Sequence, residues 1–159
     1  MGRRLFWHVT RGVPPPRPGG VEPAIDADSA PWWEAVAQHR FLLPKCNLCG
    51  FRWFPPTPRC PRCGSVSTEL SPASGSGRIY SWVVIHRALS VGTTPEVPYV
   101  IGAITLEEGG RIFGRLLASP ADSRLRADEP VSVCFYTVSE VTLVGFEFAN
   151  RPNDNLGSL

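Results

Sequence analysis

Two copies of a short cysteine motif constrain this chain more than any other feature of its sequence. Cys46 and Cys49 form a CxxCG motif, and Cys60 and Cys63 form a second one after ten intervening residues. A two-residue gap lets one tight turn present both sulfur atoms to a single ion, and the glycine that follows can adopt a positive φ. Four thiolates complete a tetrahedral shell, so the spacing predicts one structural Zn²⁺ site without an open position.

Iron is the alternative metal, because the second motif also resembles a rubredoxin knuckle. Disulfides are disfavoured: the sequence shows no secretion signal and no apolar run of bilayer length, which predicts a cytoplasmic protein with reduced thiols. Four cations in the cysteine segment can offset the formal negative charge of the site: Lys45, Arg52, Arg59 and Arg62. The segment is too small for an apolar core, so the metal should supply most of its folding free energy.

Residues 1–30 are predicted to form a disordered leader, since seven of the nine residues from 12 to 20 are Gly or Pro. The next segment, residues 31–42, is predicted to be one short helix. Trp33, Ala37 and Phe41 recur at helical spacing and should form its buried face, with Trp32 and Val36 on the flank. Three turns are not stable alone, so this helix must pack against another part of the protein.

Residues 75–149 are predicted to be all β. Runs rich in Val, Ile, Phe and Tyr are bounded by turn residues and indicate five strands: 77–88, 97–106, 110–118, 130–138 and 141–149. A helical turn after Ser119 would separate the third strand from the fourth, which is the layout of an OB-fold barrel. Gly102, Gly114 and Gly145 indicate bulges or barrel corners. Cys134 is predicted to be a buried strand thiol.

The predicted fold is therefore mainly β, with an N-terminal helix and a rubredoxin-like zinc ribbon followed by a five-stranded OB-fold. The corresponding segments are the leader, residues 31–70, residues 71–150 and a flexible tail of residues 151–159. The 16 Lys and Arg residues against 14 Asp and Glu give a net charge of only +2. That balance argues against strong nucleic-acid binding. A single-stranded nucleic-acid-binding module nevertheless stays open as the alternative function, because OB-folds and zinc ribbons both serve in such modules.

The order of these segments is itself distinctive. A WW-containing helix precedes a CxxCG-x(9)-CPxCG ribbon, and GSGRIYSW, PYVIGAI and GRIFGRL follow. Over about residues 29–149 this order resembles the domain-of-unknown-function family 35, the zinc-ribbon OB-fold proteins of acyl-CoA metabolism. The resemblance implies a small accessory subunit in lipid, sterol or polyketide metabolism. Its expected partners are thiolase-like enzymes (lipid-transfer-protein-type thiolases, aldolases and acyltransferases) or enoyl-CoA hydratases.

No catalytic constellation is visible in the sequence, so the chain is predicted not to be an enzyme. It has no GxSxG elbow and no phosphate-binding glycine loop, and its three histidines are scattered. The resemblance implies that the barrel binds acyl-CoA and that the ribbon docks on the partner. Only the four cysteines match the family pattern firmly.

Acyl-CoA carries phosphates and an adenine ring, which call for guanidinium groups beside an aromatic or apolar wall. The candidate ligand residues are Arg78, Trp82, His86, Arg87, Arg111 and Arg115. The candidate partner-docking residues are Trp32, Trp33, Phe51, Trp53 and Phe54. The alternative for each is an ordinary surface arginine or a packed core aromatic.

Overall fold

The computed structural model describes residues 23–87, 97–138 and 140–149. The predicted tail and most of the predicted leader lie outside these ranges. Within them the chain forms one helix and seven strands: α1 Ala30–Ala37, β1 Leu42–Cys46, β2 Thr68–Pro72, β3 Ser76–Ile85, β4 Tyr99–Leu106, β5 Arg111–Leu116, β6 Pro130–Val138 and β7 Val141–Phe148. The prediction of a mainly β protein with a short N-terminal helix is confirmed.

Helix α1 is shorter than the sequence predicts, and its buried face is shifted toward the residues predicted for the flank, Trp32 and Val36. It ends at Ala37, because His39 adopts a left-handed φ of 57° that no continuing helix allows. The buried face consists of Trp32, Ala35 and Val36, whereas Ala37 is exposed. The predicted stripe through Ala37 is therefore wrong: helical periodicity gives the spacing of a face but not where the helix ends.

The ribbon is built on a two-stranded sheet that the sequence does not predict. Strands β1 and β2 pair antiparallel, with Leu42 opposite Pro72 and Cys46 opposite Thr68. An isolated antiparallel bridge between Lys45 and Arg52 closes the loop that carries the first cysteine motif. Both strands have five residues and contain proline, so they show little of the alternation by which strands are recognised.

The remaining strands close a barrel in the order β3-β4-β5-β7-β6, with β5 and β7 parallel and the other neighbours antiparallel. These are the five predicted OB-fold strands. The β4–β5 connection turns at Gly109 and Gly110, which both have positive φ. Where the sequence predicts a helical turn after Ser119, the chain makes a hydrogen-bonded turn from the Asp122 amide to the Ser119 carbonyl at 2.9 Å, and this turn does not continue into a helix.

The irregularity in the barrel lies at Tyr80, where the register of β3 against β4 shifts between Ile79 and Ser81. The strand glycines instead mark close approaches. A Cβ on Gly114 would come within 3.0 Å of the Phe146 ring. The strand glycines therefore allow close packing in the barrel because they have no side chain. The register shift lies at a tyrosine and not at a glycine.

One apolar core joins the helix, the base of the ribbon and the barrel. Trp32 and Leu43 belong to the same buried cluster as the barrel residues Ile79, Ile104 and Phe146. The Trp32 indole N–H also donates to the Leu42 carbonyl at 2.9 Å, which fixes α1 to β1. With eight residues, α1 is too short to cross a bilayer, and the described part of the chain has no other α-helix.

Candidate metal centre and barrel surface

The four predicted cysteines meet at one point. The Cys46 and Cys63 sulfur atoms are 3.6 Å apart, and those of Cys49 and Cys60 are 3.7 Å apart. All four lie within 4.8 Å of one another. Zn–S bonds of about 2.3 Å in a tetrahedron require sulfur separations of about 3.8 Å. The donor set and its geometry therefore fit one zinc ion held by thiolates alone.

Each cysteine motif is folded by the same backbone pattern. The Gly50 amide donates to the Cys46 carbonyl, and the Gly64 amide donates to the Cys60 carbonyl, both at 2.9 Å. Gly50 has φ of 71° and Gly64 has φ of 76°, as the glycine after each motif predicts. A Cβ at either position would be strained in this left-handed conformation.

Backbone amides and neighbouring thiols spread the pKa values of the cysteines. The amide of Cys49 donates to the Cys46 sulfur and lowers the pKa of Cys46 to about 6. The Ser65 amide acts in the same direction on Cys63, but burial and the three neighbouring thiols raise the pKa of Cys63 to about 12. Cys46 therefore loses its proton easily. Cys63 loses its proton only when a bound cation neutralises the charge of the cluster.

A second, small apolar cluster surrounds the metal centre. Cys46, Trp53 and Cys60 are buried together, with Phe51 packed against them. The Trp53 indole N–H donates to the Thr57 hydroxyl at 3.0 Å. The predicted cations mostly serve local contacts here: Lys45 pairs with Glu69, Arg52 bonds Pro72 and Ser71, Arg59 bonds Gly64, and Arg62 lies over Phe51.

The five candidate docking aromatics differ in their burial and in their contacts within the fold. Trp32 and Trp53 are buried, and both indole N–H groups are satisfied inside the chain. Trp33, Phe51 and Phe54 are half-buried. Phe54 packs on Trp32, with ring centroids 5.1 Å apart. Docking through these side chains stays a prediction, for which the half-buried rings offer the accessible surface.

The structure brings together two of the six candidate ligand residues. Arg78 pairs with Thr105 across β3 and β4, and Thr105 pairs with Arg111 across β4 and β5. The Arg111 guanidinium lies 3.4 Å above the Tyr80 ring. A cleft of about 270 Å³ opens beside them, lined by Arg78, Ile79, Tyr80, Thr105, Leu106, Glu107 and Asp128.

The other four candidates lie elsewhere. Trp82 is partly buried against the barrel core and is not part of the cleft lining. His86 and Arg87 are exposed just beyond the end of β3. Arg115 stacks on Tyr99 at 4.9 Å. No shared ligand site for all six residues forms in the described part of the chain.

Sequence reasoning missed several exposed apolar side chains. Phe113 and Val83 point outward from the barrel with 72% and 54% of their surface exposed. Leu48 and Val66 are exposed on the ribbon. Alternation along β5 could have indicated Phe113, because Ile112 and Leu116 are buried on the opposite face.

Family comparisons agree with this architecture. Residues 33–69 match the ChsH2 rubredoxin-like zinc ribbon domain, and residues 71–136 match the ChsH2 C-terminal OB-fold domain. A solved chain described as the Ltp2-ChsH2(DUF35) aldolase is 34% identical and superposes with a TM-score of 0.72, covering 81% of this chain and 100% of that one. The fold and its metal centre define a zinc-ribbon OB-fold protein. The chain belongs to the DUF35 family.

Curated relatives carry the names of enzyme subunits and scaffolds. A probable enoyl-CoA hydratase alpha subunit of Thermomonospora curvata is 37% identical over 63% of this chain and 31% of its own length. A DUF35 domain-containing scaffold protein of Methanothermobacter thermautotrophicus is 34% identical over 73% of this chain and 91% of its own length. The benzoylsuccinyl-CoA thiolase subunit BbsA of Thauera aromatica is 32% identical over 65% and 72%, respectively. This chain thus spans about a third of the hydratase subunit.

Proposed function

We propose that this protein is a noncatalytic accessory subunit that docks on an acyl-CoA-processing enzyme of the thiolase-like or enoyl-CoA hydratase type. The observation that carries the proposal is the combination of a closed four-cysteine centre with relatives named as subunits of such enzymes. An all-cysteine tetrahedral site has no position for substrate or water, so its metal would be structural. The proposal places the protein in the cytoplasm, where the thiols stay reduced.

The placement of reactive side chains supports a noncatalytic role. His39 stacks on Phe135 at 5.2 Å, and His86 lies exposed beyond β3. Burial is the main reason that the pKa of Cys134 rises to about 12, which leaves a neutral and poorly nucleophilic thiol. None of the contacts among the described residues pairs a histidine with a nucleophile. The reacting groups would therefore belong to the partner enzyme.

The second part of the proposal is that the barrel contributes surface to an acyl-CoA site. Arg78 and Arg111 flank the cleft beside Tyr80, and guanidinium groups bind phosphates through paired N–H donors. A cleft of about 270 Å³ is smaller than sites that enclose a drug-sized ligand, which begin at about 300 Å³. It would hold a phosphate-bearing end of the cofactor, and the acyl chain would extend into the partner.

The test is purification of the tagged full chain from its native host. Co-purifying proteins are identified by mass spectrometry, and bound metal is measured in the same sample. A near-stoichiometric thiolase-like or hydratase-like protein together with one zinc per chain is the expected result. Co-purification of nucleic acid that is released by salt, with no such enzyme, would contradict the proposal.

A further inference from the structure

The outer face of β3, β4 and β5 presents exposed apolar side chains, and the polar residues Ser81 and Thr105 lie among them. Phe113 lies opposite Ala103, and one step along the strands Arg115, Ile101 and Val83 are aligned. Because alternate strand residues share a face, these side chains are neighbours on the outside of the barrel. We call this surface the barrel face and define it by Tyr80, Val83, Ile101 and Phe113, which lie around the buried Ala103, with the arginines Arg78, Arg111 and Arg115.

The exposure of this surface has no explanation in the fold. Phe113 does not belong to the barrel core, which is filled from the opposite side of β5 by Ile112 and Leu116. Tyr80 is 57% exposed and Val83 54%. An exposed aromatic grouped with aliphatic side chains is typical of an interaction site, whereas isolated exposed apolar residues are ordinary.

The positive charge of the barrel face favours a partner with an acidic surface. The outward positions of β3, β4 and β5 include three arginines and no Asp or Glu. Arg111 stacks on Tyr80 and Arg115 on Tyr99, and neither forms an ion pair with a carboxylate among the described residues. Stacking uses the flat face of a guanidinium and leaves its N–H edge directed to an acceptor. Arg78 donates to the Asp128 carbonyl and Arg111 to the Thr105 hydroxyl, so Arg115 is the cation of this face best placed to meet a carboxylate.

We propose that the barrel face is the docking surface for the partner enzyme subunit, which presents an apolar centre rimmed by Asp and Glu. The identity of the partner rests on the proposed function. The location of the docking surface and the chemistry of the partner's surface are inferred from the barrel face itself. A second copy of the chain is a poor occupant, because an isologous contact would place arginine against arginine. Residues 1–22 carry four arginines and one glutamate, so they are not complementary either.

Single-stranded nucleic acid is the other class of ligand that an arginine-bearing OB-fold face can attract. Its bases stack on aromatic side chains, but the Tyr80 ring is already covered by Arg111 and the Tyr99 ring by Arg115, which leaves Phe113 with the aliphatic Val83 and Ile101. An apolar protein surface complements these three side chains better than a string of bases does.

The experiment places a photo-reactive p-benzoylphenylalanine at position 113 of the full chain in the native host. The matched control carries the same residue at position 48 on the ribbon, where Leu48 is 75% exposed against 72% for Phe113. We expect the probe at 113 to capture one protein, identified by mass spectrometry as an acyl-CoA enzyme subunit, and the probe at 48 to capture none. Affinity for that purified subunit should fall about tenfold in Arg115→Glu and stay unchanged in Arg40→Glu.

The outcomes separate this inference from the proposed function. If an acyl-CoA enzyme subunit is captured from position 48 and not from 113, the accessory role holds and the docking surface is wrong. If position 113 captures an identified protein of another class, whose binding Arg115→Glu weakens, the docking surface holds and the proposed function is wrong. Capture of nucleic acid, no capture at 113, or capture that is insensitive to Arg115→Glu each overturns the docking surface.

Discussion

The chemistry of single side chains decides what the ribbon can bind. Four thiols converge with sulfur separations of 3.6 and 3.7 Å, and backbone amides lower the pKa of Cys46 to about 6. A divalent cation is then the natural counter-charge for the thiolates. The motif spacing is sufficient to predict this site, because two residues between cysteines fix the turn and the turn fixes the sulfur positions.

Replacing one ligand should remove the metal. Cys46→Ser or Cys60→Ser leaves three thiolates, so we expect less than one zinc per chain and a disordered ribbon. Metal content by mass spectrometry and ribbon order by amide exchange test this expectation. Cys134→Ser is the matched control, because Cys134 lies outside the cluster. A folded Cys46→Ser protein that keeps full zinc would contradict the predicted ligand set. Iron in the wild-type protein, recognised by its visible thiolate absorption, would show that the metal is iron and not zinc.

Cys134 should react slowly as long as the barrel is folded. Burial raises the pKa of Cys134 from 9.0 to about 12, with a further contribution from Glu147, and only the thiolate is nucleophilic. Iodoacetamide labelling of metal-loaded protein near pH 8, followed by mass spectrometry, should show little modification at this position. The urea-unfolded chain is the control, and equal labelling rates in the two states would contradict the burial.

The same pKa shift predicts a dependence of stability on alkaline pH. The unfolded chain releases the Cys134 proton near pH 9, and the folded chain retains it up to about pH 12. The folded state therefore binds more protons in this window, so its stability is lost as the pH rises through it. Cys134→Ala should lose less stability between pH 8 and pH 10 than the wild type in urea titrations, and equal losses would contradict the shift.

At the scale of elements, short contacts decide how the helix, the ribbon and the barrel join. The Trp32 indole ties α1 to β1 through Leu42 and packs into the barrel core. The β4–β5 turn reaches back toward the ribbon, where the Ser74 amide donates to Glu108. Burial alone would raise the pKa of Glu108, but hydrogen bonds from Ser74 lower it overall. The pairing of these elements depends on a few polar contacts beside a shared core.

Trp32→Phe tests the attachment of α1. It removes the indole donor to a buried carbonyl and reduces packing, so we expect a loss of about 1–3 kcal/mol in the free energy of unfolding. Trp33→Phe is the control, because the half-buried Trp33 ring makes no such bond. Urea denaturation of both variants provides the measurement. Equal losses in the two variants would show that the Trp32 hydrogen bond is not the important contact.

Arg78 lines the cleft and Arg111 lies over the Tyr80 ring beside it, so the two arginines should act together on the phosphates of CoA. Each change to Ala is expected to weaken CoA binding by about tenfold, since a charged hydrogen bond contributes about 1.5–3 kcal/mol. Calorimetric titration of the purified chain with CoA measures this effect, with Arg40→Ala as a matched control on the helix side. If both variants bind CoA with the wild-type affinity, the cleft is not part of the proposed acyl-CoA site.

At the scale of the whole molecule, the chain has two apolar cores of unequal size. Their separation predicts which residues lose amide protection when the metal is removed. The small cluster of Cys46, Trp53 and Cys60 contains two of the proposed metal ligands, whereas the large core spans α1, β1 and the barrel. A chelator should therefore increase amide exchange in residues 46–64 and leave β4 and β6 protected. Exchange measured by mass spectrometry before and after chelation is the test, with zinc addition as the reversal control. Equal loss of protection in the barrel would contradict this separation.

The sequence by itself determined the four-cysteine cluster, the five barrel strands and the glycine turns. Cysteine spacing and strand alternation are local, so the chain encodes them within a few neighbouring residues. Only the tertiary structure decided that α1 ends at Ala37 and that β1 pairs with β2. It also separated Trp82 from Arg78 and assembled the barrel face. Those features depend on which distant residues become neighbours when the barrel closes, and a shift of one residue in register would turn Phe113 inward.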